Sequence, residues 1–273
     1  MQLGSRLRQL REASGVTREA AGWAIRASES KISRMELGRV GFKERDVADL
    51  LKLYGVDGEE YEALLAAARE ANQPGWWHPY GDLLTTWFQN YLDLEAAASL
   101  IRTYEVQFVP GLLQTEAYAR AVILLSHASA KGDEVERRVA VRMARKKVLT
   151  RPSPPRLWAV IDEAVLRRLI GGRAVMRAQI EALLEASDQP NVRIQVIPFA
   201  TGGHAAAGGA FTILRFPEQE LPDVVYLEHL TNAVYLDRRS DVDQYAAAVG
   251  RLFIEAESPA RTQDFLRDVL RDL

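Results

Sequence analysis

The chain has 273 residues, 48% hydrophobic and 26% charged, with a formal net charge of −2 and no cysteine. That length suits one large domain or two ordinary ones, and a near-average composition excludes wholesale disorder. The lack of cysteine excludes disulfides, thiolate catalysis, zinc fingers and iron–sulfur clusters.

The first seventy residues read as short helices. Leu3, Leu7 and Leu10 repeat at helical spacing, and Gly15 closes that segment. Thr17 caps a second helix, with Glu19 in its first turn. Ser28 caps a third, whose inward residues are Ile32 and Met35 and which ends at Gly38. Val47, Leu50, Leu51 and Tyr54 make a fourth apolar stripe stopped by Gly55. Asp57 opens a fifth helix with Tyr61, Leu64 and Leu65 on one face. Residues 1–71 are therefore expected to form a five-helix domain. Asn72-Gln-Pro-Gly-Trp-Trp-His-Pro-Tyr-Gly81 interrupts the pattern with two prolines and two glycines, and 72–81 reads as the junction.

The remainder, 82–273, reads as an α+β domain. Helices are expected over 82–103, 115–128, 133–150 and 173–187, with a strand starting near Tyr104. Further strands are expected at Arg156–Ile161, Asn191–Ile197, Phe211–Phe216, Val224–Glu228 and Ala233–Leu236, the second alternating with period two. Ser240 and Asp243 offer a capping box for a helix using Val242, Tyr245, Val249 and Leu252, and a last helix follows Pro259. No stretch approaches the roughly 18 apolar residues that cross a bilayer. Met1 to Arg6 lacks the pattern of a signal peptide, so a cytoplasmic protein without membrane contact is expected.

Charge is unevenly spread. Residues 1–56 carry eleven basic and seven acidic residues, a balance of +4, against 24 basic and 30 acidic in the rest, −6. A basic head on an acidic body points to the head as the part that meets a polyanion. The informative stretch is Thr17 to Gly38. Two short helices joined by a tight turn let the second lie in a DNA major groove. With Ile32 and Met35 inward, Ser28, Glu29, Ser30, Lys31, Ser33 and Arg34 are left to face bases and phosphates. Arg18 stands at the start of the preceding helix, where a side chain can clamp a phosphate. The alternative is a five-helix bundle that binds protein.

Ser28-Glu-Ser-Lys-Ile-Ser-Arg-Met-Glu-Leu-Gly38 resembles the recognition helix and following turn of the lambda-repressor/Cro-like, xenobiotic-response-element type of helix-turn-helix family, over residues 3–70. The sequence departs from it at Arg18, where the family often has Gln, and at Arg26, where the inter-helix turn often has Gly because a positive φ is needed. The second domain also resembles a known one. The run Gly75 to Gly81, Leu94 to Tyr104, Val109-Pro-Gly-Leu-Leu-Gln-Thr-Glu116, Arg142, Ile161-Asp-Glu-Ala-Val-Leu166, Gln195-Val-Ile-Pro-Phe199, His204 and Val225-Tyr-Leu-Glu228 are similar to the antitoxin-like domain that follows this helix-turn-helix in many actinobacterial regulators. The resemblance implies a transcription factor, with a small partner protein encoded nearby.

The expectation is thus an α-helical N-terminal helix-turn-helix domain followed by a larger α+β domain. The chain would be a DNA-binding regulator whose second domain dimerises and senses a small-molecule effector or partner protein. Its partners would be double-stranded operator DNA, an inverted repeat, and a second copy of itself. The alternative is an antitoxin-like module whose main ligand is a small partner protein. No cofactor, metal site or catalytic residue is expected. His204, His229, Glu228, Asp162 and Glu163 lack ligand spacing, and Ser126-His127 lacks a nucleophile elbow. The Gly-rich loop 202–209 does not open a helix as a phosphate loop must. An effector pocket would use Trp76, Trp77, Tyr80 and His204, although Trp76, Trp77, Tyr80, Trp87 and Phe88 read more simply as packing between domains, and His204 as ordering its loop. The basic run Arg137, Arg138, Arg142, Arg145, Lys146 and Lys147 reads as a solvated helix face.

Overall fold

The computed structural model describes the chain except Met1, Leu37, Arg39, Asn72 to Pro74, Ala207, Gln219 and Glu220, and the side chain of Gln2. Three residues of the expected junction, Leu37 of the expected recognition helix and Ala207 of the Gly-rich loop therefore lie outside the described residues. Two compact units emerge: Met1–His78 with Glu218–Leu221, and Pro79–Pro217 with Pro222–Leu273.

The first unit holds five helices, α1 (Gln2–Ala13), α2 (Arg18–Ala24), α3 (Glu29–Glu36), α4 (Glu44–Leu53) and α5 (Gly58–Ala71). Local chemistry sets their ends. The Thr17 hydroxyl accepts from the Ala20 amide at 3.1 Å, and the Ser28 hydroxyl from the Lys31 amide at 3.3 Å. Gly15, Gly38 and Gly55 take the left-handed conformation that stops a helix. Each helix turns its apolar stripe to one core, built around Leu7, Ile32, Met35, Val47 and Leu50.

The second unit has a six-stranded sheet of order β3-β2-β1-β4-β5-β6. Its strands are β1 (Leu100–Glu105), β2 (Arg156–Asp162), β3 (Val192–Ile197), β4 (Phe211–Arg215), β5 (Val224–Glu228) and β6 (Ala233–Leu236). β1, β2 and β3 run parallel, while β4, β5 and β6 follow as antiparallel neighbours. The helices are α6 (Thr86–Ala97), α7 (Glu116–Ser126), α8 (Gly132–Lys146), α9 (Glu163–Arg167), α10 (Arg173–Ser187), α11 (Arg239–Glu255) and α12 (Pro259–Asp272). One sheet face, with Tyr104, Val160, Phe211 and Val225, packs with Val249 and Leu252 of α11. Tyr91 of α6 packs against Tyr226 from the other face, the rings tilted by 36° at 4.2 Å between centroids. Among the described residues no helix is long and apolar enough to cross a membrane.

Three local expectations need correction. The helix expected over 82–103 ends at Ala97, and Leu100 to Thr103 open the central strand. Ala96 to Ala98 extend the helical signal, but the Ser99 amide bonds the Arg215 carbonyl at 2.8 Å, which commits the next residues to the sheet. A strand buried on both faces has no alternation to announce it. The expected capping box at Ser240 does not form, because α11 begins at Arg239 and its N-cap, Arg238, makes no side-chain bond. Finally, the basic run on α8 is not a solvated face. Arg145 is buried, Lys146 donates to the Gln114 carbonyl at 2.7 Å, and Arg138 donates to the Leu83 carbonyl at 2.9 Å.

Candidate functional site

The helix pair α2–α3 is held by one buried carboxylate. Glu36, 4% exposed, accepts from Arg11 Nε at 2.5 Å and from Arg18 Nε at 3.0 Å. Arg11 also donates to the Val16 carbonyl at 3.0 Å, so α1, the approach to α2 and the end of α3 share one ionic knot. The hydrogen bond from Arg11 to Glu36 raises the Arg11 pKa, and burial followed by the Glu36 charge pushes the Tyr54 hydroxyl to about 12. Glycine permits the close approach. A methyl group on Gly22 would lie 2.7 Å from the Ala27 carbonyl oxygen, so α2 touches the backbone of the turn that launches α3. In that turn Arg26 has φ of +54°, the only non-glycine residue above zero among those described. The departure read from the sequence at this position is thus a real left-handed residue, carrying a strain of roughly 1–2 kcal/mol.

The side chains expected to meet DNA occupy one neighbourhood. Ser28, Glu29, Ser30 and Arg34 are exposed along α3, and Ser33 and Lys31 are half-buried. Arg34 Nε donates to the Ser30 carbonyl at 3.3 Å, which lays the guanidinium along its own helix. The Lys31 ammonium meets Asp46 of α4 at 2.5 Å. Arg18 is half-buried, and with Nε on Glu36 its terminal nitrogens make no hydrogen bond among the described residues. Glu36, Asp46 and Gly22 escaped the sequence reading. A glutamate beside Met35 was a weak sign of an interior ion pair, and its partner 25 residues away had no local signal.

The second unit has its own cavity, at the carboxyl end of β1 beneath α6 and α8. A family model described as a domain of unknown function, DUF5753, matches residues 88–268, and one described as a helix-turn-helix domain matches residues 2–64. The chain belongs to the DUF5753 family. Its helix-turn-helix domain suggests a DNA-binding regulator. Comparison with curated proteins and with solved structures found no match.

Trp76, Trp77, Tyr80 and His204 do not line the cavity of the DUF5753 domain. Trp76 is 40% exposed, and Tyr80 ends a short 3-10 turn, His78–Tyr80. His204 sits behind β1. Its Nδ1 accepts from the Ala206 amide at 3.3 Å, leaving Nε2 against the Tyr104 hydroxyl at 2.9 Å, with Asp162 beyond at 3.5 Å from that hydroxyl. Burial, and then the Asp162 charge, raise the Tyr104 pKa. The arrangement ties the Gly-rich loop to the central strand. Phe88 of α6 stacks on Tyr91, with the Arg145 guanidinium 5.6 Å from the Phe88 ring. Among the described residues no group of three His, Cys, Asp or Glu side chains is placed to hold a metal ion.

Proposed function

We propose that this protein is a sequence-specific transcriptional regulator that sets α3 in the DNA major groove. One observation carries the reading: the exposed edge formed by Ser28, Glu29, Ser30 and Arg34 stands beside Arg18 in a helix pair locked by Glu36. Arg34 and Lys31 can donate to guanine, serine is permissive, and Glu29 can accept from cytosine. Arg18, with its inner nitrogen on Glu36, presents its outer nitrogens to a phosphate. One such unit covers one half-site, so a homodimer reading two half-sites about one helical turn apart is proposed. The DUF5753 domain would join the copies and sense an effector or partner. A ligand there alters DNA binding only by favouring one dimer geometry over another.

The experiment is selection of binding sites by the purified full chain from fragmented genomic DNA, with a Lys31→Ala/Arg34→Ala double variant alongside. An enriched inverted repeat is expected, with the variant binding it roughly tenfold or more weakly. Affinity should fall steeply with salt, as for any protein making several phosphate contacts. Enrichment no better than random fragments, or equal enrichment by the variant, would overturn the reading.

A further inference from the structure

The cavity of the DUF5753 domain measures about 470 Å³ and opens where the strand order turns back from β3-β2-β1 to β4. Register makes its floor polar. Thr103 lies opposite Thr212, and Thr212 opposite Tyr226. Continuing those rows puts Glu105 and Glu228 on the same face, on either side of Ala210. Glu105 makes no hydrogen bond or ion pair among the described residues. Burial, and then the Glu228 charge, push its carboxyl up to about 8.

Over this floor, two guanidinium groups of α8 converge on Gly111. A methyl group there would lie 2.7 Å from Nη1 of Arg142 and 2.7 Å from Nη1 of Arg145. Arg145 has its Nε and Nη2 on Glu95, at 2.6 Å each, and its Nη1 makes no hydrogen bond among the described residues. Arg142 makes none with any of its nitrogens among them. Burial and the neighbouring Arg145 charge bring the Arg142 pKa down to about 10. Gln114, on the same wall, is 2% exposed. Its amide donates to the Val109 carbonyl at 2.8 Å, which fixes its orientation and leaves Oε1 buried without a partner. Phe88, Tyr91, Phe108 and Tyr226 supply aromatic walls.

We propose that this cavity binds a small organic anion. Its carboxylate or phosphate sits between Nη1 of Arg142 and Nη1 of Arg145, an adjacent hydroxyl or N–H donates to Gln114 Oε1, and a planar apolar body lies against the aromatic walls. Guanidinium forks suit both kinds of anion, and the volume is that of an ordinary small-molecule site. The proposal deepens the sensing role above and rests on it only for the link to DNA.

The test is isothermal titration calorimetry of the full chain with 3-hydroxy-2-naphthoate, 2-naphthyl phosphate and uncharged 2-naphthol. At least one anion should bind one per chain and at least tenfold more tightly than 2-naphthol, and the preferred anion identifies the headgroup. Arg142→Gln should weaken that binding at least tenfold without lowering Tm, since the side chain has no hydrogen bond to lose. Gly111→Ala, whose methyl displaces both Nη1 atoms, should give the same loss independently. Neither anion exceeding 2-naphthol, or both variants binding as tightly as the parent, would overturn the site. Operator binding measured with and without the preferred anion separates the two readings. An anion that binds but leaves operator affinity unchanged overturns the sensing role and keeps the site. Operator selection by a protein that ignores both anions does the reverse.

Discussion

Helices α3 and α8 both carry basic side chains, and the fold treats them differently. On α3, Arg34 is exposed and rests on its own backbone, and Lys31 is shared with a neighbouring helix. On α8, the Arg145 guanidinium is 8% exposed and grips a Glu95 side chain that is 2% exposed, with the Tyr91 hydroxyl accepting at 3.2 Å. The difference lies in what stands opposite. A guanidinium enters an interior only where a carboxylate from another element meets it with good geometry. Glu95 of α6 supplies that for α8, whereas on α3 only Lys31 meets such a carboxylate, Asp46 of α4, and Arg34 stays exposed with its Nε on the Ser30 carbonyl.

The contrast can be broken most forcefully at Glu95. Glu95→Ala strands a buried Arg145 and should cost about 3–5 kcal/mol in urea unfolding. The Lys31→Ala/Arg34→Ala pair, by comparison, should stay within about 1 kcal/mol of the parent. Equal losses would mean that α3 is as interior as α8. A second break lies in the head itself. Glu36→Gln keeps one acceptor but removes the charge that Arg11 and Arg18 share, and should cost about 3 kcal/mol, read as a lower Tm of the helix-turn-helix unit. Its effect on DNA affinity should exceed what the added unfolded fraction explains, because Arg18 loses its anchor.

A smaller change sharpens the comparison in the other direction. Arg26→Gly removes a left-handed non-glycine residue and should stabilise the chain by up to about 1 kcal/mol, since the entropy of glycine in the unfolded state offsets part of the relief. Differential denaturation of parent and variant measures it, and a loss of stability would show that the Arg26 side chain makes a contribution larger than its strain.

The last effect concerns pH. Glu105 on β1 lies within electrostatic reach of Glu228 on β5 and of Arg142 and Arg145 on α8, with Tyr91 of α6 and Tyr118 of α7 also in reach and His229 lining the same cavity. Its carboxyl, ordinarily at 4.5, is held at about 8 in the folded chain. Between those values the folded state binds the extra proton, so stability falls as pH rises. The contribution is fully present below the unfolded value and lost as pH passes about 8. Glu105→Gln should flatten that slope in unfolding curves taken from pH 5 to 8.5, and an unchanged slope would show that Glu105 is ionised in the fold.

How much of this was legible beforehand depends on how local each signal was. Thr17, Ser28, Gly15, Gly38 and Gly55 act within one turn of their own helices, so the five-helix head and its exposed edge could be read along the chain. Arg26 was legible too, because a left-handed turn residue is a local demand. The period-two run at Asn191 to Ile197 and the strands at 211–216, 224–228 and 233–236 announced themselves in the same way.

The central strand, the ionic knot at Glu36 and the cavity did not, because each depends on residues far apart in sequence meeting in space. Leu100 to Thr103 became sheet only when β2 and β4 were there to pair with them. Arg11 and Glu36 are 25 residues apart, and Arg145 and Glu95 are 50 apart. The chain by itself determined a capped helix-turn-helix head and a strand-rich body, since hydrophobic period, caps and turn residues act over a few neighbours. Tertiary structure alone decided that Arg142, Arg145, Gln114 and Glu105 would share one cavity, because only the packing of α8 over the end of β1 turns a helix full of cations inward.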